Sequence, residues 1–338
     1  MSKIKALAAL DKGKALEPFE YEAGDLGPEQ VEIAVEYCGI CHSDLSMLDN
    51  EWGMSKYPLV AGHEVVGKVV AAGPQAKRVK VGDRVGLGWN SGSCHCCPQC
   101  LAGDQNMCVS GEGTIVGRPG GFAERVRCNW VWAAPIPEGV DAASGGPLLC
   151  GGITVFNPIV QFGIRSTHRV GVVGIGGLGH MALQFLNKWG CEVTAFTSSE
   201  SKHEEAKKLG AHRAVSSKDS AAMKQLAGSL DFILVTVNAT LDWGTLIAAL
   251  APRGRIHFVG AVLQPVEVSV FGLLVGQKSV SGSPSGSPST VDQMLAFCAR
   301  HQIAPITEEY PMSRINDALD RLRSGHARYR VVLRNEGF

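Results

Sequence analysis

The stretch VVGIGGLGH, Val172 to His180, decides the fold. It sets Gly174, Gly176, Gly177 and Gly179 between a strand-like apolar run, RVGVVGI, and an amphipathic helical run, LGHMALQFLNKWG, that closes on Gly190. On its own this glycine spacing is weak evidence. After a strand and at the opening of a helix it marks a dinucleotide-binding turn. Gly174 permits the tight turn, Gly176 and Gly177 let the backbone approach a pyrophosphate, and Gly179 lets helix pack on strand. The helix N-terminus adds amide donors and partial positive charge. The alternative is a glycine-rich turn with a purely structural role.

Outward from this turn, CEVTAFT, AHRAVSS, DFILVTV and RIHFVGA read as further strands, with SKHEEAKKLG and LIAALAPRG as helical segments between them. Strands alternating with helices predict βαβ units and a parallel sheet. Within SKHEEAKKLG, Ser201 and Glu204 predict a capping box, Glu204 and Lys208 an i,i+4 pair, and Gly210 the C-terminal stop.

The end of the second strand chooses between the two nicotinamide cofactors. An acid about 20 residues past the glycines would hold a ribose 2′-hydroxyl and repel a 2′-phosphate. Here the segment is Thr197-Ser198-Ser199-Glu200-Ser201-Lys202. Hydroxyls and a lysine hold a phosphate, so the expectation is NADP. Glu200 points either way, and a purely local role for Ser201 and Lys202 is the alternative.

Residues before Cys150 have another texture. VEIAVEYCGI, EVVGKVVAAG and VGDRVGLGW alternate apolar and polar positions between Gly and Pro, which predicts a β-rich barrel or sandwich. SGSPSGSPST (281–290) reads as a loop or hinge. After it come two helical segments and a last strand, RYRVVL, expected to close back on the first domain.

The chain has 338 residues, enough for two domains, and equal numbers of basic and acidic residues. A formal charge of zero gives no reason to expect nucleic acid or an anionic membrane surface. The N-terminal MSKIKALAALDKG lacks a secretory apolar core, and no run approaches the ~18 apolar residues of a membrane span. A cytoplasmic protein is expected. Eleven cysteines, an odd number, then point to metal binding before disulfides.

Cys94, Cys97, Cys100 and Cys108 have the spacing C-x2-C-x2-C-x7-C. Four thiolates in one short loop wrap a tetrahedral zinc with no open position; a redox dithiol is the alternative. Cys96 falls outside the spacing. A closed site has no position for a substrate; GICHSDLS, AGHEVVG and GGPLLCGGITV carry the candidates for an open one. Cys41, His63 and Cys150 would make an open Cys2His set, though their separation means that spacing alone does not join them. Cys38, in an apolar run, reads as packed.

GICHSD, GHEVVG, the four-cysteine loop, PLLCGGITV, GIGGLGH and TSSESK occur in one order. Together they resemble the zinc-dependent medium-chain alcohol dehydrogenases, and within these the cinnamyl-alcohol-dehydrogenase branch, from end to end. The resemblance implies an α/β fold with a GroES-like β-rich catalytic domain (1–150 and 287–338), a Rossmann doubly wound parallel-sheet domain (151–286), and an active-site cleft between them. It implies two zinc ions per chain, NADP(H), a small alcohol or aldehyde substrate and a homodimer; no nucleic-acid or membrane partner is expected. Cys41, His63 and Cys150 would ligate the catalytic zinc, with Glu64 as an occasional fourth ligand. Asp44 would orient His63, His42 would touch the cofactor pyrophosphate, and Ser43 would bond the substrate oxygen and move its proton. Thr154 and Leu178 join the cofactor set.

Two positions depart from that branch. A histidine is common three residues after the relay hydroxyl; this chain has Ser46, which cannot act as a base near neutral pH. The plant enzymes carry an aromatic soon after the fourth loop cysteine; here none occurs before Phe122. Trp52 and Trp89 are the candidates for an aromatic pocket wall, or for ordinary core packing. The rival functions are a non-catalytic zinc protein that uses the fold for structure or for sensing NADPH, and a polyol dehydrogenase of the same superfamily.

Overall fold

The computed structural model describes residues 3–198 and 200–337. Two compact units emerge, Met1–Ile153 with Ser285–Phe338, and Thr154–Pro284.

The first unit is built on a seven-stranded sheet. Its order is Thr307–Pro311, Arg330–Arg334, Gln30–Ile40, Glu64–Ala72, Arg84–Leu87, Ala134–Pro135, with Arg125–Asn129 also pairing on Gln30–Ile40. The long central strand shows why its sequence changes phase. Val31, Ile33 and Val35 are buried, then Cys38 and Ile40. The switch from odd to even positions falls where the pairing with Glu64–Ala72 shifts, between Val35 and Tyr37. A bulge there adds one residue and turns the next side chains to the other phase. Beyond it Gly39 pairs with Glu64 on one side and with Val332 on the other. Cys41 and His63 therefore leave the sheet at the same end, next to the start of Arg330–Arg334. The core beneath includes Ile33, Leu87, Ile115 and Phe122, all fully buried.

The second unit is a six-stranded parallel sheet ordered Arg213–Ser216, Glu192–Thr197, Arg169–Val173, Leu230–Val235, Leu250–Phe258, Ser279–Gly282. In chain order that is 3-2-1-4-5-6, the doubly wound Rossmann arrangement. Val170 to Val173 and Phe232 to Val235 are buried without a break apart from glycine's lack of a side chain, as parallel strands covered on both faces must be. Asp219, Asp242 and Ser269 each cap a following helix by accepting from its first-turn amides.

Four local expectations are corrected. Ser201 lies inside a 3₁₀ turn, Glu200–Lys202, and the N-cap position of the helix His203–Lys208 falls on Lys202. Glu204 bonds Lys207 at 2.8 Å, one residue short of Lys208, because the short helix favours the i,i+3 neighbour. The expected loop 281–290 is shorter. Ser281 and Gly282 finish the edge strand, and Ser287 caps the helix Pro288–His301 by accepting from Thr290. The helical run Ala142–Gln161 is also long and apolar enough to cross a membrane, contrary to the sequence reading, but 83% of its apolar window is buried in the fold.

Candidate metal and cofactor sites

Cys41 ends the central strand and opens the helix His42–Leu48. His63 precedes the strand Glu64–Ala72. Cys150 lies in a π-helical turn, Leu148–Gly152, an irregularity that often marks functional positions. The sheet register and this turn bring together donor atoms of Cys41, His63, Glu64 and Cys150, all within 4.8 Å of one another. Cys41 Sγ lies 3.9 Å from Cys150 Sγ, and His63 Nε2 lies 3.2 Å from Cys150 Sγ. Two sulfurs at ~2.3 Å from a tetrahedral zinc stand ~3.8 Å apart, so the set fits that ion.

Asp44 holds the set in place. Its Oδ1 is 2.9 Å from His63 Nδ1 and accepts from Gly62 N at 2.8 Å, while its Oδ2 accepts from Cys41 N at 2.9 Å. With Nδ1 engaged, Nε2 is the nitrogen left for a metal. Burial opposes charge on His63, but Asp44 outweighs it and lifts the imidazole pKa well above its ordinary value. The hydrogen bond with Cys150, aided by His63 and Arg330, holds Cys41 well below the ordinary thiol range; Cys150, facing that thiolate, is pushed up.

Glu64 is fully buried and ion-paired through Oε1 with Arg330, which is 3% exposed. Burial pushes the Glu64 carboxyl up, against the pull of Arg330. Its Oε2 has no hydrogen-bond partner among the described residues. An orphaned carboxylate oxygen within a Cys2His set is a second sign that the set fits a cation. Arg330 was missed in the sequence reading. The only signal was an arginine at the start of an apolar strand, RVVL.

Ser43 stands beside the set, with its Oγ 3.8 Å from Cys41 Sγ. His42, the next residue along, is exposed. Trp89 stands edge-on to His63, with ring centroids 5.2 Å apart, and Trp52 stands edge-on to Trp89 at 5.8 Å. A small pocket borders Trp89 and is lined also by Trp132, Leu149, Ile153, Pro288 and Val291.

The second cluster is Cys94, Cys97, Cys100 and Cys108. Cys94 to Cys100 is 4.0 Å, Cys97 to Cys108 is 3.9 Å and Cys94 to Cys108 is 3.5 Å. These are again close to the ~3.8 Å edges of a zinc–thiolate tetrahedron. Backbone amides of Cys96 and Cys97 pull the Cys94 thiol down to about 6, while burial pushes Cys100 up to about 12. Cys96 is exposed and outside the set, and Cys38 is fully buried in the core.

In the second unit, Gly174 has φ +90°, and a Cβ there would meet Val237 at 2.2 Å. A Cβ on Gly179 would lie 1.9 Å from the Gly174 carbonyl oxygen, so strand and helix pack closer than any side chain allows. Gly176 is the contrast: its Cβ would face open space, room that a bound group can fill. Gly177 and Leu178 complete the turn, and the helix Gly179–Trp189 begins there. Thr197 is buried at its strand end, Ser198 is exposed and Lys202 half-buried. Ser199 lies outside the described residues. Thr154 sits half-buried on the helix Ile153–Gln161.

A closed thiolate cluster, an open Cys2His set and a dinucleotide-binding sheet define a zinc-binding dehydrogenase fold. Residues 27–138 match the alcohol dehydrogenase GroES-like domain, and residues 177–300 the zinc-binding dehydrogenase family. The chain is similar to the aldehyde reductase AdhA of Synechocystis sp., with 55% identity over 98% of each chain. Among solved structures it resembles a cinnamyl alcohol dehydrogenase from Sorghum bicolor, with a TM-score of 0.94 and 36% identity over 98% of each chain. It also resembles a cinnamyl alcohol dehydrogenase from Helicobacter pylori complexed with NADP(H), with a TM-score of 0.90 and 28% identity over 99% of each chain. The chain belongs to the zinc-dependent medium-chain alcohol dehydrogenases, in the cinnamyl-alcohol-dehydrogenase-like branch.

Proposed function

We propose that the protein is an NADP-dependent zinc alcohol dehydrogenase that works mainly as an aldehyde reductase on primary aromatic or medium-chain substrates. The observation that carries this is the convergence of Cys41, His63 and Cys150 with Ser43 beside them. A sensor of NADPH or a structural zinc protein would have no use for an open ligand set with a hydroxyl at its rim, and membership in the family opposes that reading as well.

Cys41, His63 and Cys150 hold the catalytic ion, and Glu64 Oε2 is the candidate for an occasional fourth ligand. Zinc held there supplies Lewis acidity toward a carbonyl oxygen. NADPH supplies the hydride. Asp44 fixes the tautomer and orientation of His63. Ser43 gives a proton to the substrate oxygen during reduction and takes one during oxidation. Cys94, Cys97, Cys100 and Cys108 staple their loop around a structural zinc.

For the cofactor, the turn at Gly174, Gly176, Gly177, Leu178 and Gly179 takes the pyrophosphate, with His42 and Thr154 as further contacts. Thr197, Ser198, Ser199 and Lys202 take the 2′-phosphate. NADP is favoured because the strand end carries hydroxyls and a lysine where an acid would select NAD. The relative from Helicobacter pylori, complexed with NADP(H), supports the same choice.

Trp89 and Trp52 form the aromatic wall. A side chain at Gly113 would reach within 3.9 Å of the Trp89 indole nitrogen.

The protein works as a cytoplasmic homodimer. In support, Val270, Phe271, Leu274 and Val275 are 68–75% exposed on one helix, next in sequence to the edge strand Ser279–Gly282. Both an apolar patch and an open strand edge call for cover. Light scattering on the wild type and on Phe271→Glu tests the dimer.

An aldehyde panel with NADPH and NADH side by side tests the activity. Consumption of NADPH with aromatic or medium-chain aldehydes is expected. No turnover in zinc-loaded protein across a broad panel would sink the reading, and a preference for NADH with polyols would favour a polyol dehydrogenase.

A further inference from the structure

The closed cluster is tied to the small pocket at both of its ends. Ser93, one residue before Cys94, accepts through Oγ from the Trp132 indole nitrogen at 3.2 Å. Asn106, two residues before Cys108, donates from Nδ2 to the Ser285 carbonyl oxygen at 3.1 Å. Trp132 and Ser285 both line the pocket that borders Trp89. A third tie comes from the strand before the cluster, where Asn90 Nδ2 donates to Ser285 Oγ at 3.2 Å. All of these residues belong to the first unit.

Each tie reaches beyond its partner atom. Trp132 is buried, so its N–H needs an acceptor, and Ser93 supplies one. Ser285 is followed closely by Ser287, which caps the helix Pro288–His301, and Pro288 and Val291 of that helix line the pocket. Fixing the Ser285 carbonyl therefore fixes where that helix starts. Asn106 itself rides on the 3₁₀ turn Gln105–Met107, between Cys100 and Cys108. Four thiolates around one ion set the spacing of the cysteines, and with it the reach of Ser93 and Asn106 toward the walls they hold. The base of the loop is closed separately. There Asn90–Gly92 pairs with Glu112–Gly113, and the Ser91 hydroxyl donates to Glu112 O at 3.2 Å.

We propose that the closed cluster is a specificity device as well as a staple: through Ser93 and Asn106 it positions Trp132 and Ser285, and so sets the width of the pocket beside Trp89. The substrates it sorts are aldehydes that carry a ring or a long chain. Only these reach past Trp89, which stands against His63, into a space walled by Leu149, Ile153 and Val291. Ser93 and Asn106 act through the walls they hold, so they are positioning residues.

The inference rests on the aldehyde-reductase reading, which wild-type turnover tests by itself; the cluster's role is tested by the ratio of variant to wild type. Asn106→Ala and Ser93→Ala are each expected to raise KM for benzaldehyde about fivefold. Turnover number, NADPH affinity and KM for propionaldehyde should stay unchanged. Zinc content by elemental analysis should equal the wild type's, since neither residue is a ligand. The NADPH-loaded protein should bind benzyl alcohol more weakly by the same factor, read by calorimetry. Asn106→Asp keeps the shape but presents no N–H, and should match Asn106→Ala. Ser93→Thr keeps the hydroxyl and should match the wild type. Cys100→Ala opens the cluster and should raise the benzaldehyde KM at least as much; adding Asn106→Ala to it should change nothing more. A wild-type benzaldehyde KM in Asn106→Asp and Ser93→Ala, or equal losses for benzaldehyde and propionaldehyde, would overturn the proposal and leave the loop as a staple. Additive losses in the Cys100→Ala, Asn106→Ala double variant would overturn it as well.

Discussion

Asp44 grips three points of the metal set at once: the His63 imidazole, the Cys41 amide and the Gly62 amide, all at 2.8 to 2.9 Å. One buried carboxylate thereby fixes two elements that are far apart in sequence, the helix after Cys41 and the strand after His63. Asp44→Asn keeps the shape but loses the charge that supports the ligand His63. Its zinc affinity at the Cys2His site should fall about 10- to 100-fold. Competition with a chromophoric chelator measures this, and zinc retention equal to the wild type would remove Asp44 from the role.

Cys41→Ala removes a ligand from the open set without touching the glycine turn in the other unit. Turnover should fall about a thousandfold or more, because polarisation of the substrate is lost. NADPH binding, followed by fluorescence, should persist. An active Cys41→Ala enzyme would mean that the working metal sits elsewhere.

Cys100→Ala opens the closed cluster. Cys100 is the buried member of the four, so its loss leaves three ligands around a hole. The protein should carry one zinc fewer per chain by elemental analysis, with Tm lower by on the order of 10 °C. Normal zinc content and stability would contradict the structural-zinc assignment.

Trp89→Ala removes the ring that stands against His63 and Trp52. Aromatic pairs contribute about 1 kcal/mol beyond area burial, so KM for aromatic aldehydes should rise about fivefold. Short aliphatic aldehydes should change little. Equal effects on both classes would make Trp89 a core residue and not a pocket wall.

His257 gives the pH dependence. It is fully buried, with Nδ1 and Nε2 each 2.9 Å from a serine hydroxyl, Ser281 and Ser283. Burial, and then Arg255, push its pKa down to about 4. The unfolded chain takes up this proton near the ordinary histidine value of ~6.5, whereas the folded chain takes it up only near 4. Between these values the unfolded state binds more protons, so folding stability falls as pH falls through that window. Urea titrations at pH 7 and pH 5 should show a steeper acid loss for the wild type than for His257→Gln. Identical acid losses would mean that His257 takes up its proton as readily in the fold as in the unfolded chain.

Much of this protein was legible from local pattern. The Rossmann turn was readable because Gly174 to Gly179 lie in one stretch between a strand and a helix, and the four-cysteine loop because its donors are close in sequence. The start of His203–Lys208 is not legible locally, because the chain spends Glu200 to Lys202 on a 3₁₀ turn that no periodicity shows. Ser46 stood out in the sequence as a missing histidine, but its hydrogen-bond partner Glu51 did not, since the bond depends on how the chain turns after Leu48.

The sequence by itself determined the identity of the donors: Cys41, His63, Cys150, Ser43 and the closed cluster, each carried by a short motif. Only the tertiary structure decided that they meet. Register does it, because Gly39 pairs with both Glu64 and Val332 and so brings three strand ends to one point. It also decided that Arg330 neutralises Glu64 and that Trp89 stands against His63. These are contacts between residues up to 266 positions apart. Their energy comes from desolvation and from packing between strands, and neither leaves a local mark on the chain.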